Sequence, residues 1–159
     1  MALQVGTAIP SLEGATKWLN QSVAIEDLLT RPTLFQFWAI SCPICKMNMP
    51  RLKELLAAYR EQELCLVSVH QPRSPEDTDI TRVQAVAEEL GIDGPCAIDN
   101  DHTLGDRFQT SGLWPSYFLF DASGKLRSRA AGALGLKTAE NSLRRLVQVG
   151  ETDTTGLIS

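Results

Sequence analysis

The chain has 159 residues, enough for one domain with a core of its own. Hydrophobic residues make up 43% and charged residues 21%, an ordinary globular composition, and no apolar run is long enough to span a bilayer. Against 19 Asp and Glu stand 15 Lys and Arg, a net charge of −4 with no basic stripe, which removes the electrostatic footing for nucleic-acid binding.

The opening Met1-Ala2-Leu3-Gln4-Val5-Gly6 has neither a basic start nor an apolar h-region. The expected compartment is the cytoplasm if the chain is complete, and an extracytoplasmic one if a signal or anchor has been removed. Gly6, Pro10 and Gly14 suggest an extended N-terminal stretch with a hairpin around Trp18-Leu19-Asn20, then a helical turn at 25–29. The first strand is expected over 33–39, because Leu34-Phe35-Gln36-Phe37-Trp38-Ala39-Ile40 is short, aromatic and bounded by Pro32 and Ser41. The helix that follows carries a core-facing stripe of Leu52, Leu55, Leu56 and Tyr59, with Pro50 inside it predicted to bend it. Residues 64–70 form a second strand, continuous in apolar character as a strand covered on both faces should be, and parallel to the first.

The loop 71–79, with Pro72 and Pro75, leads to an amphipathic helix marked by Val83, Val86, Ala87 and Leu90 and stopped by Gly91. A third strand is expected at 96–98 and a small helix at 103–109. Strands 116–120 and 126–130 flank Asp121-Ala122-Ser123-Gly124, the chemistry of a hairpin turn. A last helix over 138–149 buries Leu143, Leu146 and Val147, giving one domain over 1–150 and a flexible tail at 151–159.

Cys42-Pro43-Ile44-Cys45 carries the chemistry. Pro43 suits the first position of a helix, where a missing N–H costs nothing, so Cys42 stands at a helix N-terminus. There, unpaired N–H groups and the macrodipole stabilise a thiolate, which makes Cys42 the nucleophile and the more exposed, more acidic thiol. Residues three apart share a helix face, so Cys45 can close a disulfide and is the resolving thiol.

These pieces resemble the thioredoxin-like superfamily, and more narrowly its TlpA/ResA-like thiol-disulfide oxidoreductases. The match runs through Phe37-Trp38-Ala39-Ile40-Ser41-Cys42-Pro43-Ile44-Cys45-Lys46, Met49-Pro50, an inserted strand-helix unit after His70, and Trp114-Pro115-Ser116-Tyr117-Phe118-Leu119-Phe120-Asp121. The resemblance implies an α/β fold: a central mixed β-sheet flanked by helices, with that insertion and an N-terminal extension. It implies disulfide exchange with protein thiols and an external redox partner, without a cofactor, by a protein with no membrane segment and expected to be a monomer. It also implies that Pro115 is cis and that Trp114 and Pro115 dock an extended substrate peptide. Trp114 is bulkier than the family's usual residue there.

Two positions depart from the family. The buried Asp that thioredoxin carries six residues before its first motif cysteine is Gln36 here, and the Glu that relatives often carry three residues after the second is Asn48. Neither amide can take the proton from Cys45. His70, ending the second strand at the motif's edge of the sheet, is the candidate replacement base; a loop-facing histidine with no catalytic part is the alternative.

The remaining candidates have plainer readings. Cys65 and Cys96 lie in predicted strands and read as core filling, since buried free cysteine behaves as a small hydrophobe; the alternatives are a second disulfide or a four-thiol zinc site, and the latter would want two close pairs of ligands. His102, among Asp99, Asn100 and Asp101, reads as an Asx-rich turn capping the next helix, so no metal ligand set is assigned. Lys46 and Arg73 are cations near the motif, able to stabilise the Cys42 thiolate or simply to be solvated. Two rival functions are a thiophilic-metal (copper) module using the motif cysteines with His70, and a thiol peroxidase. The peroxidase would want a Thr where Ala39 stands.

Overall fold

The computed structural model describes residues 3–158, with side chains through residue 148. Its elements are β1 (Lys17–Leu19), β2 (Thr33–Trp38), α1 (Pro43–Ala58), β3 (Cys65–His70), α2 (Ile80–Glu89), β4 (Cys96–Ile98), α3 (Thr103–Phe108), β5 (Ser116–Phe120), β6 (Leu126–Ala131) and α4 (Gly135–Ile158). Short 3-10 turns lie at Ile25–Leu28 and Pro75–Thr78. The six strands make one mixed sheet in the order β1-β4-β3-β2-β5-β6. β2, β3 and β4 run parallel, while β5, β6 and β1 are antiparallel to their neighbours.

All six residues of β2 are buried, because the strand is central and covered on both faces. Its period-2 alternation divides the core. Leu34 and Trp38 join Leu52, Leu55, Val83 and Leu143 under the helices of one face. Phe35 and Phe37 pack on the other face against Phe108, with ring centroids 4.9 and 5.1 Å apart. This placement brings the ends of β2 and β3 level, with Trp38 paired to His70, and α1 begins immediately beyond.

Two expectations are corrected. Trp18 and Leu19 do not form a hairpin: β1 pairs antiparallel with β4, and the Asn20 amide donates to the Ile92 and Gly94 carbonyls at 3.0 and 2.7 Å. Local turn chemistry suggested the hairpin, but pairing with β4 buries Leu19, which a two-stranded ribbon would not. The last helix begins at Gly135 and ends at Ile158, taking in most of the segment expected as a tail. Gly150 does not stop it, since glycine weakens a helix interior by only about 1 kcal/mol.

Candidate active site

Cys42 and Cys45 are joined by a disulfide, with Cα atoms 5.3 Å apart. Cys42 is the N-cap of α1, in extended conformation, with Pro43 in the first turn behind it. The Cys45 N–H donates to Cys42 Sγ at 3.2 Å, so this sulfur occupies the place of a capping oxygen and faces the free N–H groups of the helix start. The expected difference in exposure is not found in this oxidised form. Cys42 is 3% and Cys45 2% exposed, both within the apolar cluster that includes Trp38 and Met49, with Trp114 packed against it.

The turn from β2 into the motif is pinned residue by residue. The Gln71 N–H donates to the Trp38 carbonyl at 2.9 Å and the Cys42 N–H to that of Ala39 at 3.1 Å. The Ile40 N–H donates to His70 Nε2 at 3.1 Å. At Ser41 the hydroxyl donates to Asp77 Oδ2 at 2.6 Å, and the carbonyl accepts from Arg73 Nη1 at 2.6 Å. Asp77 Oδ2 also accepts the Arg73 N–H at 3.0 Å.

His70 therefore takes a part different from the one expected. The lone pair of Nε2 is used by Ile40, the ring lies edge-on to Trp38 with centroids 4.9 Å apart, and burial lowers its pKa to about 4, against a smaller upward pull from the Asp77 charge. An imidazole so weakly basic, with its accepting nitrogen engaged, is a poor proton acceptor near neutrality; it holds the turn instead. Of the two cations singled out beside the motif, Arg73 is tied to the turn. Asp77, which clasps Ser41, carries no signal of its own in the sequence. In Glu76-Asp77-Thr78-Asp79 no pattern distinguishes one acid from its neighbours, and only burial does so, Asp77 being 2% exposed.

The two amides that replace the family's acids are both engaged. Gln36 is 1% exposed; its Nε2 donates to Ser68 Oγ at 2.8 Å and lies 3.7 Å from the Met49 sulfur. Asn48 Nδ2 donates to the Tyr117 hydroxyl at 3.0 Å.

The Trp114–Pro115 peptide is cis. Trp114 is half-buried, and its indole N–H donates to the Gln71 carbonyl at 2.8 Å, tying this loop to the end of β3. The Gln71 side chain is held in turn, with Nε2 3.0 Å from His102 Nδ1 and Oε1 accepting from the Thr110 hydroxyl at 3.1 Å. Asp99 supplies the expected Asx cap, its carboxylate oxygens accepting the Leu104 and Gly105 N–H groups at 3.0 and 2.8 Å. Cys65 and Cys96 are free thiols, and burial pushes Cys96 up to about 12. Among the described residues, no group of three or more His, Cys, Asp or Glu converges as a metal cluster. The copper reading needs His70, whose Nε2 is already taken.

A family model described as "AhpC/TSA family" matches residues 5–129. The thiol-disulfide oxidoreductase YkuV of Bacillus subtilis (strain 168) is 40% identical over 140 residues, spanning 87% of this chain and 93% of the relative. The thiol-disulfide oxidoreductase ResA of Bacillus anthracis is 24% identical over 144 residues, spanning 91% and 79%. Among solved structures, a thioredoxin-like protein determined in solution in its oxidised form superposes with a TM-score of 0.82 at 38% identity, covering 92% of this chain and 98% of the other.

Proposed function

Since the chain belongs to the AhpC/TSA family and is a thioredoxin-like thiol-disulfide oxidoreductase, we propose that Cys42 is its attacking thiol and Cys45 its resolving thiol in exchange with protein disulfides. The observation that carries this division is the Cys42 sulfur at the N-cap of α1, accepting the Cys45 N–H. A thiolate there is stabilised by the helix start, and Cys45, one turn in, is not so placed. In the reducing direction, the Cys42 thiolate attacks a client disulfide and one client thiolate leaves. The Cys45 thiolate then attacks Cys42 Sγ, the second client thiolate leaves, and the Cys42–Cys45 disulfide forms. Two electrons pass to the client, and an external dithiol restores the reduced pair.

With Gln36 and Asn48 as amides and His70 committed to Ile40, the proton of Cys45 goes to water. Trp114 and Pro115 form the docking edge for the client chain, supported by the indole bond that ties this loop to Gln71. The peroxidase alternative lacks a hydroxyl at Ala39. The compartment proposed is the cytoplasm, where Cys65 and Cys96 would stay reduced. The test is insulin reduction driven by dithiothreitol. Turnover that requires both Cys42 and Cys45 is expected, and a parent protein unable to accelerate insulin reduction would end this reading.

A further inference from the structure

The turn that delivers Cys42 is gripped from outside its own strand and helix. Arg73 and Asp77 both lie in the segment that follows β3, and both close on Ser41, the residue before the nucleophile. Their charges differ in exposure: Asp77 is buried, whereas Arg73 is exposed. Other ionisable groups on the elements around this turn include His70 on β3, hydrogen-bonded to Ile40, Lys46 near the start of α1, and Glu76 and Asp79 on either side of Asp77. They also include Tyr117 on β5, which shares the apolar cluster with Cys42 and accepts from Asn48. Residues 113–116, on the cis-proline side, carry no charge.

A carboxylate held 2.6 Å from the Ser41 hydroxyl opposes negative charge developing on the next residue, and a guanidinium on the Ser41 carbonyl favours it. Because the buried charge is screened less than the exposed one, the carboxylate has the larger effect. We propose that Asp77 and Arg73 are positioning residues that set the acidity of the Cys42 thiol in opposite senses, Asp77 raising its pKa and Arg73 lowering it. Disfavouring the thiolate disfavours the reduced protein, so Asp77 makes the dithiol a stronger reductant. The inference rests on the assignment of Cys42 as nucleophile.

The test is the pH titration of Cys42 thiolate absorbance, with Cys45, Cys65 and Cys96 replaced by Ala, together with equilibration of the otherwise unmodified protein and its variants against glutathione. Asp77→Asn keeps the side chain's shape and is expected to lower the Cys42 pKa by about one unit. The glutathione equilibrium should shift toward the dithiol by up to about tenfold, the equivalent of that unit. Arg73→Gln should move both readouts the other way, by less. Movement of both variants in the same direction, or no movement in Asp77→Asn while its circular dichroism matches the parent, overturns the proposal, since a purely mechanical clasp would not produce opposite signs. If Asp77→Asn does not fold, Arg73→Gln decides: an unchanged or lowered Cys42 pKa refutes the pair. A parent whose Cys42 shows no depressed pKa and does not exchange with insulin would instead refute the nucleophile assignment itself.

Discussion

Gln36 and Ser68 stand opposite one another in the parallel register of β2 and β3, and their side chains share a hydrogen bond of 2.8 Å beneath the motif helix. The amide meets the hydroxyl and the Met49 sulfur with no charge to desolvate. Gln36→Asp places a carboxylate in this pocket, where it can accept the proton of Cys45 at the cost of burial. Decay of a preformed Cys42 mixed disulfide near neutral pH should quicken roughly tenfold or more. Unfolding free energy should fall by about 1–3 kcal/mol. Stopped-flow decay and urea titration measure the two effects, and an unchanged decay rate would mean that water already suffices as the proton acceptor.

The division of labour between the thiols predicts asymmetric single mutants. Cys45→Ser should accumulate mixed disulfides with client proteins, visible on non-reducing gels. Cys42→Ser should lose insulin reduction. Cys65→Ser and Cys96→Ser should retain it. Because Cys96 is fully buried, its replacement by the more polar serine should cost about 1–3 kcal/mol. The half-buried Cys65 should tolerate serine within roughly 0.5 kcal/mol.

His70 should govern acid sensitivity. Its folded pKa, about 4, lies below the ordinary 6.5, so between these values the unfolded chain binds the extra proton and the native state does not. Stability contributed by the neutral imidazole is present above pH 6.5 and is lost as pH falls toward 4, by on the order of 3 kcal/mol. His70→Gln, which keeps an acceptor for the Ile40 N–H, should flatten this window. Urea midpoints measured from pH 4 to 7.5 provide the comparison, and equal acid slopes in parent and variant would contradict the assignment.

Gly105 is predicted to resist substitution for a reason outside its own helix. A Cβ there would stand 2.1 Å from Gln71 Nε2, and Gln71 is held at both ends of its amide by His102 and Thr110. Alanine would otherwise favour α3 by up to about 1 kcal/mol. The clash should outweigh this and leave Gly105→Ala about 1–3 kcal/mol less stable. Since the Gln71 carbonyl also holds the Trp114 indole, insulin reduction should weaken as the docking loop loosens. A thermal melt and a KM measurement on the same variant report both effects.

Much of this molecule was legible in the chain because the signals are local. The aromatic run of β2, Pro43 at a helix start, the three-residue spacing of Cys42 and Cys45, and the Asp121–Gly124 turn each specify backbone within a few residues, and the structure realises all of them. The pairing of β1 with β4 was not legible, because it joins segments nearly eighty residues apart and is decided by whether Leu19 can be covered. The same holds for the site's surroundings. His70 reads as a base from its reference pKa, and only burial against Trp38 with Ile40 on its nitrogen makes it a neutral strut. Asp77 is one acid among several in sequence, and only the fold carries it out of water and onto Ser41. Spacing along the chain determines which residues can react, whereas desolvation and hydrogen-bond partners, which exist only after distant segments meet, decide how strongly each one holds its proton.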